Sequence, residues 1–189
     1  AVGAVHELID ALGLDRPVVV GHSLGAIVGL LCAATFPTRA AVAVDPVGLY
    51  LPAFAATLAP YRSCILDGDT LAGFRACEAH LPTGRLSAAS ITGGMTPRPE
   101  VIRSYWRGLF DAPKVVVARQ TRFAEALAAT SVPTLVLLGD PPSGEDADVL
   151  ATMPSATVEV WAGTGHWLHL ADPKRFAHRL ASWIEEEGR

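Results

Sequence analysis

Apolar positions along the chain fall into two patterns, helical stripes and short unbroken runs. The first stripe begins at the start of the chain and ends at a glycine; its members are Val2, Val5, Leu8, Ile9 and Leu12, followed by Gly13. The run 18–20 comes next, with three valines and no polar alternation. A run of this kind predicts a strand covered on both faces, as in a parallel sheet.

The rest of the pattern repeats this alternation of strand and helix. Residues 24–36 predict an apolar helix that ends before Pro37, and further strands are predicted over 41–44, 133–138 and 157–161. Near the end, Asp172 is a predicted N-cap and Pro173 a predicted first helical residue. An apolar stripe follows them: Phe176, Ala177, Leu180, Trp183 and Ile184. Strands that alternate with helices predict a parallel α/β sheet.

The middle of the chain departs from this rhythm. Between 48 and 130 the pattern predicts no strand, and helices are predicted over 71–81, 99–110 and 113–129. The sequence therefore predicts a core of residues 1–47 and 131–189 with a helical insertion at 48–130. The insertion holds nine Lys or Arg and six Asp or Glu, a net charge of +3, against −7 for the core.

Composition narrows the class of protein. With 189 residues, 50% of them apolar, the chain is long enough to bury a core. Its net charge of −4 argues against a nucleic-acid partner. Residues 17–38 carry no Asp, Glu, Lys or Arg, but Gly21, His22, Ser23 and Gly25 interrupt them, so we do not expect a membrane span. Three cysteines form no set of pairs, so we expect a reducing, cytoplasmic location.

The strongest chemical signal is the motif Gly-His-Ser-Leu-Gly at 21–25, a G-x-S-x-G between a predicted strand and a predicted helix. In such a turn the flanking glycines let strand and helix approach, and the Ser23 hydroxyl projects above the carboxyl end of the sheet. The N–H of Leu24 can donate a hydrogen bond to a developing oxyanion. Ser23 is therefore the predicted nucleophile.

A serine nucleophile needs a base and an acid that orients it. His166 follows the last predicted strand, at the same end of the sheet, and is the predicted base. We expect His169 to have a structural role. Asp140 ends the third strand and is the preferred acid; Asp45, which also ends a strand, and Asp146 with Glu145 remain open as alternatives.

These residues resemble the α/β-hydrolase fold over essentially the whole chain. The resemblance lies in the motif at 21–25, the strand and acid at 133–140, and the ending from Gly165-His166-Trp167 to Phe176. It implies a three-layer parallel sheet, a triad of Ser23, Asp140 and His166, and a helical cap at 48–130 that shapes the substrate pocket. His22 and Trp167, beside the nucleophile and the base, are expected to contact the substrate.

The chain departs from the family pattern in two places. The usual position of the acid, three residues after the glycine that ends the strand, is Pro142. The strands that normally precede the Ser strand, and the loop that supplies a second oxyanion donor, have no counterpart, so the chain resembles an N-terminally truncated hydrolase. We therefore expect weak catalysis, and an open strand edge that favours self-association or pairing with a missing N-terminal segment.

The leading functional hypothesis is a serine hydrolase of a small ester-like substrate that works through an acyl-enzyme. Carbon–carbon bonds, thioesters and lactones are alternative substrates, because the fold does not choose among them. A catalytically impaired relative that acts as a binding domain is the alternative of a different class. The cap's charge of +3 is a weak indication of an anionic substrate, although a solvated face explains it equally well. No cofactor and no metal are expected.

Overall fold

The computed structural model describes residues 1–92, 96–142 and 144–187. Four parallel strands form one sheet in the order of the chain: β1 (Val18–His22), β2 (Ala40–Val44), β3 (Thr134–Leu138) and β4 (Ala156–Val160). The two central strands are buried at every position because helices cover both faces of the sheet. All four strands lie where the apolar runs predicted them, with ends shifted by one or two residues.

Helices form the outer layers of the core. These are α1 (Val2–Ala11), α2 (Leu24–Thr35), α9 (Gly144–Ala151), α10 (Leu168–Ala171) and α11 (Pro173–Glu187). One face of the sheet packs with α2 and α9 around residues such as Leu30 and Val136. The other face packs against α11 through Trp183. The predicted cap at Asp172 is confirmed, since its carboxylate accepts from the Arg175 N–H at 3.1 Å.

Helices also fill the interval between β2 and β3. They are α3 (Leu51–Leu58), α4 (Arg62–Asp67), α5 (Thr70–Glu78), α6 (Ala88–Thr92), α7 (Pro99–Trp106) and α8 (Pro113–Ala129), with short 3₁₀ turns at Ala59–Tyr61 and Arg107–Phe110. Their apolar side chains form a small core of their own around Leu58, Ile65 and Trp106. Leu24 packs against that core, so this layer lies directly over the start of α2. The division at residues 48 and 130 stays a prediction.

The first strand lies at an edge of the sheet. Among the described residues β1 pairs with β2 alone, and 45% of the Val20 side chain is exposed. An edge strand offers unpaired backbone groups to another strand, which is the basis of the predicted self-association. That association stays a prediction. None of the helices in the described ranges is long and apolar enough to cross a membrane.

Candidate active site

Ser23 occupies a strained turn between β1 and α2. Its φ and ψ are 59° and −128°, a region that residues with a side chain rarely adopt. The Ser23 N–H donates to the Val44 carbonyl at 2.9 Å, which ties the turn to the end of β2. Because the turn stands between a strand end and a helix start, it holds the serine at the carboxyl end of the sheet.

The two glycines of the motif have different roles. A Cβ at Gly21 would lie 2.2 Å from the backbone oxygen of Gly25, so no larger residue fits there without displacing the backbone. A Cβ at Gly25 would meet nothing within 4 Å. The expectation that both glycines permit the close approach of strand and helix therefore holds for Gly21 and is corrected for Gly25.

His166 pairs with Asp45. Its Nδ1 donates to one carboxylate oxygen of Asp45 at 2.6 Å, and the Gly139 N–H donates to the other oxygen at 2.7 Å. His166 is 2% exposed. A carboxylate that accepts at Nδ1 fixes the tautomer in which Nε2 is free to accept a proton. The geometry thus holds an imidazole that can act as an oriented base.

The predicted pairing of Asp140 with His166 is corrected by this arrangement. Asp140 is exposed, and its carboxylate forms no hydrogen bond or ion pair within the described part of the chain. Asp45 has a φ of +43° and its N–H donates to the Leu137 carbonyl, so the chain leaving β2 turns across the end of β3. That turn brings the Asp45 carboxylate to the position for which Asp140 was preferred.

Two glycines explain why the histidine reaches a strand that is not its neighbour. A Cβ at Gly139 would lie 2.3 Å from the Gly165 oxygen, and Gly165 has a φ of +70°. The loop after β4 therefore passes in direct contact over the end of β3, toward β2. A segment of the insertion holds the loop from the other side, since the His166 N–H donates to the Pro82 carbonyl at 2.7 Å.

The other acid considered from the sequence, Asp146, has a different contact. Its carboxylate lies on α9 and accepts from the Tyr50 N–H at 2.7 Å, just before α3 begins. Burial raises the pKa of Asp146, and the hydrogen bond to Tyr50 opposes that shift. Asp146 therefore holds the start of the insertion and does not contact His166.

His22 contacts both the backbone and the ring of His166. Its Nε2 donates to the backbone carbonyl of His166 at 2.8 Å, and its ring lies 4.5 Å from the His166 ring, centroid to centroid. Burial, followed by the charge of His166, lowers the pKa of His22 to about 4. His22 is therefore neutral near pH 7, which keeps a second positive charge away from the base. The substrate contact predicted for His22 stays a prediction, and no sequence pattern indicated this contact with His166.

We predict that His22 makes folding stability sensitive to acid. As the pH falls from 6.5 toward about 4, the unfolded chain binds a proton at this position that the folded chain resists, so the free energy of unfolding decreases. His22→Gln keeps an N–H donor and removes this titration. Urea unfolding across that pH interval should give a shallower loss of stability for His22→Gln than for the unsubstituted chain.

The control for this measurement is His178→Gln, which removes an exposed imidazole on α11. It should leave the pH dependence as it is. Equal slopes for His22→Gln and the unsubstituted chain would contradict the prediction.

A cavity of about 510 Å³ opens over the serine and the histidine. Ser23 and His166 both line it, together with His22, Trp167 and His169. Most of its remaining lining is apolar and comes from the insertion, and its volume is typical of a site for a small molecule. His22 and Trp167, predicted to contact the substrate, thus both face this space.

The first residues of α2, Leu24 and Gly25, line the same cavity. Leu24 begins the helix, so its N–H has no acceptor within it. The Leu24 carbonyl accepts from the Tyr105 hydroxyl at 3.1 Å, a contact that ties α7 to the turn at Ser23. The role of Leu24 as an oxyanion donor stays a prediction.

His169 lies beside the other two histidines of the cavity. Burial and the nearby His166 lower the pKa of His169, whose ring packs 4.5 Å from His22. No group of three or more His, Cys, Asp or Glu side chains among the described residues could hold a metal ion.

The chain is similar to known proteins both in sequence and in structure. A model of the alpha/beta hydrolase family matches residues 1–179. A candidate aryl esterase from Burkholderia cenocepacia has a similar structure, with a TM-score of 0.66 and 22% identity; the match covers 98% of this chain and 70% of that protein.

Two further solved structures resemble this chain with comparable TM-scores and identities. The esterase RhEst1 from Rhodococcus sp. ECU1013 has a TM-score of 0.62 and 20% identity, over 97% of this chain and 70% of that protein. A bromoperoxidase from Bacillus anthracis has a TM-score of 0.63 and 21% identity, over 97% of this chain and 72% of that protein. At these identities the likeness shows the fold alone.

Proposed function

The chain belongs to the alpha/beta hydrolase family, and on that basis we propose that it is a serine hydrolase that cleaves an ester or a related acyl bond. The observation that carries the proposal is the His166–Asp45 hydrogen bond of 2.6 Å beside a strained serine in one cavity. A nucleophile, an oriented base and a carboxylate are the parts that acyl transfer requires. The triad that we propose is Ser23, His166 and Asp45.

In the proposed reaction, Ser23 Oγ attacks the acyl carbon while His166 Nε2 takes its proton. Asp45 stabilises the imidazolium that results. The N–H of Leu24 donates to the oxygen that becomes negative. His166 then gives the proton to the leaving group, and the acyl group stays on Ser23. In the second half, His166 takes a proton from water as the water oxygen attacks the acyl carbon. The bond to Ser23 Oγ then breaks, His166 returns the proton to Oγ, and the acid product leaves.

The turn at Ser23 offers the Leu24 N–H as an oxyanion donor, and a donor of this kind is worth roughly a hundred- to thousandfold in rate. Thioesters, lactones and carbon–carbon bonds are further substrates that this chemistry permits. If the chain instead acts as a binding domain, Ser23 has no special reactivity.

Removal of the Ser23 hydroxyl is expected to reduce hydrolysis of 4-nitrophenyl acetate and butyrate by about a thousandfold or more, because the acyl-enzyme then has no attachment point. The measurement is the release of 4-nitrophenol by the unsubstituted chain and by Ser23→Ala. The control is Ser63→Ala, an exposed serine on α4 outside the cavity. Equal rates for Ser23→Ala and the unsubstituted chain would contradict the proposal.

A further inference from the structure

A single acidic side chain lies in the wall of the cavity. Glu78, the last residue of α5, is the one residue of the Asp, Glu, Lys and Arg types among the described residues that line it. None of the nine basic residues of the insertion does so. The net positive charge of the insertion therefore lies outside the cavity, and the weak indication of an anionic substrate drawn from it is not supported.

The Glu78 carboxylate has no hydrogen-bonding or ion-pair partner within the described ranges. It is half-buried, and no donor there lies within reach of it. Burial raises the pKa of Glu78, and the charges of His166 and Arg75 oppose the rise. The cavity lining also includes the neighbouring Cys77 and three histidines, His22, His166 and His169. The Glu78 oxygens are not among the buried polar atoms that lack a partner, so they are open to water, and a cationic ligand group would take the place of that water.

Aromatic side chains of the insertion line the same cavity as this carboxylate. They are Phe54, Phe74 and Trp106, and the rings of Phe74 and Trp106 meet edge to face at 5.5 Å. Aromatic faces attract cations, including quaternary ammonium groups, and a half-buried carboxylate adds the opposite charge. An acid among aromatic rings is therefore suited to an organic cation and unsuited to an anion.

From this arrangement we infer that Glu78 is a specificity-determining residue that selects acyl substrates with an ammonium group. The inference rests on the proposed function of Ser23 and names the substrate class of that same site. Glu78 binds the cationic end of the substrate, the aromatic residues cover its alkyl groups, and the acyl carbon is left to Ser23.

The test compares esters that differ only in charge. Choline butyrate is paired with 3,3-dimethylbutyl butyrate, and the 4-nitrophenyl ester of 4-(trimethylammonio)butyrate with 4-nitrophenyl 5,5-dimethylhexanoate. At about pH 8, far above the ordinary pKa of a carboxyl group, we expect kcat/KM to favour the cation by about tenfold in at least one pair. Glu78→Gln should bring that ratio close to one.

The matched control is Glu125→Gln, which removes the same charge from an exposed position on α8. It should leave the ratio unchanged. A ratio of one or less in both pairs for the unsubstituted chain would overturn the inference. So would an equal loss on the charged and neutral esters in Glu78→Gln, which would indicate that Glu78 acts through His166 instead.

A binding measurement separates this inference from the proposed function. Phenyltrimethylammonium is titrated against the intrinsic tryptophan fluorescence of the same proteins, since Trp106 and Trp167 face the cavity. We expect its Kd to rise about tenfold in Glu78→Gln and to stay constant in Glu125→Gln. If no ester is hydrolysed but this shift is present, the proposed function fails and the cation site stands. Equal Kd values in all three proteins would overturn the cation site even if neutral esters are hydrolysed.

Discussion

Asp45→Asn should lower kcat/KM for a 4-nitrophenyl ester by about ten-thousandfold, the loss typical of a triad whose histidine is held in the wrong tautomer. An asparagine side chain has one oxygen where Asp45 has two. The Gly139 N–H, which donates to one oxygen of Asp45, would donate to that single oxygen. The amide nitrogen then faces His166 Nδ1 and donates to it. The proton of the imidazole moves to Nε2, where it blocks the acceptance of a proton from Ser23.

Asp140→Asn is the matched control, because it makes the same change at the other strand end. Asp140 is exposed and does not contact His166, so its substitution should leave kcat/KM close to the original value. The reverse result, with Asp140→Asn inactive and Asp45→Asn active, would return the acid to the position that the sequence favoured. Circular dichroism of both variants would show whether either loss reflects unfolding.

Gly21→Ala is expected to destabilise the fold strongly. The added Cβ would lie 2.2 Å from the Gly25 oxygen, a contact with backbone on both sides, so either β1 or α2 must shift. Overpacking of this kind costs roughly 3 kcal/mol in the free energy of unfolding. The measurement is urea unfolding at equilibrium, compared at a common m-value.

Gly25→Ala tests the same motif at a position with open space. A Cβ there meets nothing within 4 Å, and alanine favours a helix over glycine by roughly 1 kcal/mol, so stability should be kept or raised. If Gly21→Ala yields no soluble protein while Gly25→Ala does, the expected difference between the two positions is still observed. Equal stability of the two variants would contradict the different roles of the two glycines.

The four strands and the parallel sheet could be predicted because the relevant signals are local. The run 18–20 is β-branched and forms β1, although Val20 is exposed at the sheet edge, and the N-cap at Asp172 forms as expected. Three helices of the insertion were predicted, whereas α3, α4 and α6 were not. Their segments, 51–58, 62–67 and 88–92, are too short to show a clear helical stripe.

The position of a site residue could be predicted where it depends only on the strand or turn that carries the residue. Ser23 and His166 follow from the motif and from the end of β4. The partner of His166 depends on a tertiary contact, the crossing of Gly139 and Gly165 over the end of β3, which no local pattern reveals. One local signal did exist: Pro142 stands where a carboxylate was expected, while Asp45 ends a strand next to β1.

We expect Ser23 to be an activated nucleophile that His166 and Asp45 orient. Reaction with a fluorophosphonate, followed by intact mass and by peptide mapping of the adduct, measures this activation. We expect one adduct, located on Ser23, that is absent in Ser23→Ala and forms far more slowly in His166→Ala and Asp45→Asn, while Asp140→Asn reacts normally. A folded protein that forms no adduct, or one labelled at another residue, would overturn this assignment.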